Sequence, residues 1–224
     1  MMVDPIDDTI QFPGSPWPKG HAIKVFNWYL QLEAPGQIRC HFDIESANYN
    51  ENAPEGNDSE WKGRPNWRST TVWNNYGHCI LSSICWDHSG FLIATAEDPL
   101  DMATLSGRTF EVDPLPFDFD AEPAFGIYCQ GHDNIAGHQI LLTKSKVGWN
   151  IDWRAKIALT FLGAIEFEND LVARKTAVKF PNITISPDLD PSEAEAMLAE
   201  CIGPSTEVEQ VEGEAGVEFR IVDC

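Results

Sequence analysis

Hydrophobic and polar residues alternate with a period of two along one stretch of the chain, residues 38–46. Its apolar positions are Ile38, Cys40, Phe42 and Ile44, and its polar positions are Arg39, His41, Asp43 and Glu45. This pattern predicts a strand with one buried face and one solvent face. The run before it, residues 21–32, is rich in β-branched and aromatic residues, and Pro35 and Gly36 favour a turn between the two. The two runs therefore predict a β-hairpin.

Shorter apolar runs predict the remaining strands. Residues 78–86 and 91–96 are joined by a short segment that contains Gly90, which predicts a second hairpin. Further strands are expected at about 108–112, 124–130, 138–144, 155–162 and 167–180, with a short edge strand at 183–185 and a last strand at 217–222. The stretch 124–163 is apolar and poor in acidic residues, so we expect it to form the organising core.

One helix is predicted, near the C-terminus. Asp190 fits the N-cap position, Pro191 the first helical position and Glu193 the third. The helix should run over about 191–202 and end near Gly203. An acidic linker, 207–214, follows it.

The order of these elements predicts the fold class. About ten strands and one late helix indicate a mainly β protein, either an antiparallel two-sheet sandwich or a strongly bent sheet. The helices that a doubly wound α/β fold places between strands are missing from the pattern. We expect an extended N-terminal arm over 1–20, a β-rich domain over 21–186, and a helix plus acidic tail over 187–224 packed on that domain.

Charge is the strongest feature of the composition. The net charge is −20 over 224 residues, and segments 1–60, 97–122 and 186–224 carry −7, −7 and −10, whereas the two segments between them carry +2 each. A field of this sign repels nucleic-acid phosphate and anionic lipid, and it favours a basic protein partner. The alternative is that the charge only keeps the protein soluble.

The location of the protein is predicted from what the sequence lacks. No run approaches the roughly 18 apolar residues of a membrane span, and the N-terminus has neither the basic nor the apolar part of a signal peptide. We expect a cytoplasmic protein whose six cysteines are reduced thiols.

Tryptophans, arginines and acids suggest a surface for a partner. Trp61 and Trp67 lie among basic residues in the long polar segment 47–70, where they fit either an interface or a cap on the core. The residues predicted to bind a partner are Trp61, Trp67, Asp118, Asp120, Glu122, Trp149, Asp152, Trp153 and Arg154.

Candidate chemistry is limited to a few polar residues. His132, Asp133 and His138 fit a loop that could hold a divalent metal ion. Paired carboxylates at 118 and 120, or at 166 and 168, are formally compatible with glycoside hydrolysis. Motifs for a nucleophilic serine or for a phosphate-binding loop are absent from the sequence, and no cofactor is predicted.

These observations support a ranked set of hypotheses. The first is a non-enzymatic acidic binding protein, of the inhibitor or immunity type, that covers a basic surface of a partner such as a toxin or a nucleic-acid enzyme. The alternative is a metal-dependent or carboxylate-based hydrolase with a site near His132, Asp133, His138 and Asp152. A third possibility is a mimic of nucleic acid whose acids are spaced like phosphates.

Overall fold

The computed structural model describes residues 4–51, 65–213 and 216–222, and the described chain is mainly β. Its strands are β1 (Thr9–Gln11), β2 (His21–Glu33), β3 (Gln37–Ser46), β4 (Ile80–Ser82), β5 (Phe91–Thr95), β6 (Arg108–Val112), β7 (Gly126–Tyr128), β8 (His132–Ser145), β9 (Gly148–Ala158), β10 (Asn169–Val178), β11 (Ile183–Ile185), β12 (Val208–Gly213) and β13 (Gly216–Ile221). The helices are α1 (Pro65–Arg68), α2 (Thr70–Asn74), α3 (Met102–Leu105) and α4 (Pro191–Cys201), with a short 3-10 helix at Thr160–Leu162.

The first predicted hairpin is confirmed. Strands β2 and β3 pair antiparallel from Glu33 opposite Gln37 to Val25 opposite Glu45. The predicted apolar face of β3 is buried, since none of its four members is more than 2% exposed. Strand β3 thus gives one wall of the core.

Eight strands close into an antiparallel barrel. The ring runs from β2 through β1, β10, β9, β8, β7, β4 and β3 back to β2. The mainly β class is confirmed, but the two-sheet sandwich is not, because strand pairing continues around the whole ring. The segment 1–20, predicted to be an extended arm, contributes β1 to the barrel wall and connects β2 to β10.

The second predicted hairpin is wrong. Strands β4 and β5 both exist, but each pairs with β3, β4 near its end and β5 near its start. Both lie along the same edge of β3, so they are not bonded to each other.

The C-terminal segments also differ from expectation. Strand β11 was expected at an edge but lies between β2 and β13. The predicted acidic linker contains β12, which pairs with β13.

Helix α4 is confirmed, with the Asp190 side chain accepting a hydrogen bond from the Ser192 amide at 2.9 Å. The expectation of a single helix is wrong, because α1 to α3 are also present. These are only one turn or slightly longer, which leaves no room for an amphipathic period in the sequence.

One end of the core is filled by aromatic side chains from separate parts of the chain. We call this group the buried aromatic cluster: Phe12, Trp17, His21, Tyr49, Trp67 and Trp73. Phe12 lies 4.8 Å from Trp73 between ring centroids, and Tyr49 lies 4.9 Å from Trp73. Trp73 donates its indole N–H to the carbonyl of Trp67 at 2.8 Å. The cluster ties the N-terminal segment and α2 to the barrel.

Two compositional expectations can be compared with the described part of the chain. Its five cysteines, Cys40, Cys79, Cys85, Cys129 and Cys201, are free thiols. None of the described helices combines the length and the apolar character that crossing a bilayer requires.

Candidate functional site

The residues of the predicted metal and hydrolase site are not brought together. His132 to Ser145 form one continuous strand, β8, rather than a loop, so successive side chains point to different sides. His132 is exposed, whereas Asp133 and His138 are buried. Among the described residues, no three His, Cys, Asp or Glu side chains are grouped so that they could hold a metal ion.

His138 is committed to the core. Its Nδ1 accepts a hydrogen bond from the Trp153 indole at 3.1 Å, and because that indole is only a donor, the neutral ring carries its proton on Nε2. This Nε2 lies 3.5 Å from the Asp113 carboxylate. Burial lowers the pKa of His138, although Asp113 opposes the shift. The Trp153 indole therefore occupies Nδ1, whereas Nε2 is buried, faces the Asp113 carboxylate and makes no hydrogen bond to the described residues.

Asp133 is an anchor for two chain segments. Its carboxylate accepts the backbone N–H of Gln130 at 3.0 Å and that of Phe161 at 3.3 Å. Burial raises its pKa, and the two N–H donors act in the opposite direction. The residue thereby fixes the 3-10 helix that carries Phe161.

Most of the tryptophans predicted to bind a partner lie in the core. Trp67, Trp149 and Trp153 are at most 2% exposed. On β9 the alternation of a strand sends Trp149 and Trp153 inward and Asp152 and Arg154 outward, so these four cannot share one surface. Asp152 pairs with Arg174 of the neighbouring strand at 3.4 Å. Of this set, the prediction for Trp67, Trp149 and Trp153 is wrong.

Two further predictions concern other regions. Trp61 lies outside the described residues. Asp118, Asp120 and Glu122 are all exposed, in the loop 113–123 between β6 and β7. They remain available to a partner.

The loop 113–123 meets a second loop, 159–168, which connects β9 to β10. Phe119 stacks on Phe167 with ring centroids 5.4 Å apart and an interplanar angle of 12°. Phe117 packs edge-on against the same ring at 6.4 Å. We call these two loops together the two-loop surface.

The two-loop surface exposes large apolar side chains. Phe119 is 45% exposed, Phe161 60% and Ile165 63%, and Leu115 and Leu162 are also exposed. Isolated exposed apolar residues are ordinary, but several on two touching loops are typical of a contact surface.

The charged side chains of the two loops are all acidic. The loops carry Asp113, Asp118, Asp120, Glu122, Glu166 and Glu168, and neither loop contains a lysine or arginine. The Asp118 carboxylate accepts the amide of Asp120 at 3.0 Å, which holds the turn at the loop tip. The two loops thus combine exposed apolar side chains with acidic ones, and Arg154 and Lys156 of β9 line the adjoining cleft together with Leu115.

The loops are held to the barrel at several points. Asp113 accepts the Ala124 amide through its carboxylate at 2.9 Å and the Gly137 amide through its carbonyl at 2.6 Å. Gly163 adopts a left-handed conformation, with φ of +82°, at the end of the 3-10 helix. The exposed rings are therefore presented by loops with defined anchors.

A cleft of about 550 Å³ lies beside this surface on the outer face of the barrel. Leu115 and His138 line it, together with charged side chains from β6, β9 and β10. Within it, Lys156 pairs with Asp170 at 2.6 Å.

Sequence reasoning located the acids of the two-loop surface but missed its apolar members. Phenylalanines usually lie in the core, as Phe125 does at 1% exposure, whereas Phe119 is 45% exposed. The available signal was the spacing of prolines at 114, 116 and 123, which prevents a strand from burying the intervening phenylalanines.

Comparison of the chain with protein-family models, with curated proteins and with solved structures found no match.

Proposed function

We propose that this chain is a non-enzymatic binding protein that covers a basic surface of a partner protein, as inhibitors and immunity proteins do. The observation that carries the proposal is the two-loop surface, where Phe119, Phe161 and Ile165 are exposed on two loops whose charged residues are all acids. A basic partner with an apolar patch complements both features. A nucleic-acid enzyme, or a toxin that acts on nucleic acid, has a basic surface because it must attract phosphate.

The apolar and acidic parts have different roles in the proposal. Desolvating the aromatic side chains supplies most of the affinity and slows dissociation. The acids, reinforced by a net charge of −20, accelerate the encounter with a basic partner. Phe119 and Phe167 are already stacked, which reduces the entropy lost on binding.

The proposal is tested by capture and kinetics. The immobilised protein is exposed to a native lysate of its source at low ionic strength, and the association and dissociation rates of each captured protein are measured. We expect Phe119→Ser with Ile165→Ser to raise the dissociation rate at least about tenfold, as loss of hot-spot side chains does. Replacing Asp118, Asp120 and Glu122 by their amides should mainly lower the association rate and its dependence on salt.

Two matched controls make the result specific. Val147→Ser removes an apolar side chain that is 76% exposed at the opposite end of β9. Amide replacement of Asp188, Glu195 and Glu200 removes three exposed acids around α4. The proposal is overturned if captured proteins are released equally from the loop variants and from these controls.

A further inference from the structure

A row of aromatic rings crosses the outside of the barrel. We call it the aromatic row, and in order its members are His88, Trp86, His132, Tyr128, Tyr76 and Phe161. Successive ring centroids lie 6.4, 6.0, 5.3, 6.3 and 6.3 Å apart. These rings come from three connections and from the neighbouring strands β7 and β8, where Tyr128 lies opposite His132. The row is therefore a product of the fold, with no counterpart in the sequence order.

Two glycines make space for the row. A Cβ atom at Gly126 would lie 2.5 Å from the Trp86 ring and 2.8 Å from the His88 ring. A Cβ atom at Gly131 would lie 2.4 Å from the Phe161 ring. The rings at both ends thus rest directly on backbone, and Asp133 fixes the segment that carries Phe161.

The rings are open to solvent. His132 and Phe161 are exposed, and the other four members are partly exposed. Within the row, adjacent rings meet edge to face at Trp86–His132 and Tyr76–Phe161, with interplanar angles of 84° and 86°. In each of these contacts the edge of one ring lies against the face of the other, and the exposed part of both rings faces solvent.

The field at one end of the row is negative. Burial lowers the pKa of His88, but the carboxylates of Glu122, Asp113 and Asp87 act on this ring in the opposite direction. Glu122 belongs to the two-loop surface, and so does Phe161 at the other end of the row. Negative charge from the loop 113–123 therefore acts on the His88 end of the row.

We infer that the aromatic row binds the guanidinium groups of an extended, arginine-rich segment of the partner; this inference rests on the proposed function. Aromatic faces attract cations, and nearby carboxylates increase that attraction. A guanidinium stacks flat on a ring, which a lysine ammonium cannot do. The row is at most about 30 Å long, which matches an extended peptide of roughly nine residues.

The test uses two peptides of equal charge, octa-arginine and octa-lysine, with a neutral gluco-oligosaccharide as the third probe. Binding to the full chain is followed by titration calorimetry and by the indole N–H signals in NMR spectra. We expect octa-arginine to bind at least about threefold more tightly than octa-lysine at 0.15 M salt, as stacking of the planar guanidinium requires. We expect Trp86 to be the most perturbed indole and the oligosaccharide not to bind.

Three variants test whether the preference for arginine depends on the row or on the two-loop surface. Tyr76→Leu with Tyr128→Leu should abolish the preference for arginine. Gly126→Ala removes no ring but displaces Trp86, and it should reduce the preference without altering the circular dichroism spectrum. Phe119→Ser with Ile165→Ser should leave the preference intact.

The outcomes are distinguishable from those of the proposed function. Equal affinity for the two peptides, or an unchanged preference in the tyrosine variant, overturns the inference even if a basic partner binds the two-loop surface. Binding of the oligosaccharide with loss in the tyrosine variant overturns it in favour of a carbohydrate site. A preference for arginine in a protein whose loop variants capture partners normally supports the row and contradicts the proposed function.

Discussion

The buried aromatic cluster and the aromatic row consist of the same residue types but differ in their exposure to solvent. Each contains six rings with edge-to-face contacts, and each includes histidine, tyrosine and tryptophan. In the cluster no member is more than 5% exposed, whereas in the row every member reaches solvent. The same side chains therefore have to be judged by what surrounds them.

The two groups differ in how much of their aromatic surface folding removes from water. The cluster removes whole aromatic surfaces from solvent and gives two of its indole groups backbone acceptors, at Pro13 for Trp67 and at Trp67 for Trp73. That arrangement stabilises the fold. The row buries only part of each ring, so some of its aromatic surface stays in contact with water after folding. Uncovered aromatic surface of this kind is what binding sites supply.

The largest effect expected is the loss of a central ring of the cluster. Trp73 is fully buried, so Trp73→Ala should lower the free energy of unfolding by about 3–5 kcal/mol through lost burial and a new cavity. Trp86→Ala in the row should cost about 1 kcal/mol or less. Urea denaturation followed by circular dichroism measures both. Equal costs would show that the row is part of the core in energetic terms.

The second effect concerns pH. Burial lowers the pKa of His21 in the cluster to about 4, from an ordinary value of 6.5. The unfolded chain therefore takes up the proton first as pH falls below 6.5, and stability decreases until about pH 4, by at most about 3 kcal/mol from this group. His21→Gln should flatten the decrease of the free energy of unfolding between pH 6.5 and 4.

His88 in the row provides the comparison for that experiment. It is only partly buried, and three carboxylates oppose the lowering of its pKa. We therefore expect His88→Gln to change the same pH dependence less than His21→Gln does. If His88→Gln has the larger effect in denaturation curves measured across this range, the distinction between the two regions is wrong.

The fold could be predicted from the sequence where a pattern was long. Eight residues of strict alternation, 38–45, defined β3, and a proline and two acids around position 191 defined the start of α4. Closure of the barrel could not be predicted, because β1 has only three residues and carries no period. The pairing of β4 and β5 failed for a similar reason, since a short glycine-containing link suggests a hairpin but does not exclude a shared third strand.

The candidate site was harder to predict, because the direction of each side chain determines which residues share a surface. The alternation of β9 separates Trp153 from Arg154, and that of β8 separates His132 from Asp133, although both pairs are adjacent in sequence. The acids at 118, 120 and 122 were recognisable from charge alone. The aromatic row had no sequence signal, because its neighbours in space lie up to 85 positions apart, as with Tyr76 and Phe161.

The smallest expected effect is the interaction energy between neighbouring rings. It compares the cluster and the row most directly. A double-mutant cycle on Trp86 and His132 should give an interaction energy of about 0.5 kcal/mol or less, because solvent already contacts both rings. The same cycle on Trp67 and Trp73, whose centroids lie 5.0 Å apart in the core, should give about 0.5–1.5 kcal/mol. Both are obtained from urea denaturation of the single and double alanine variants. Weak coupling means that the rings of the row are held by the barrel rather than by one another, and so a ligand can contact them without breaking a stabilising pair. Strong coupling would make the row a second stabilising cluster and remove the reason to assign it a ligand.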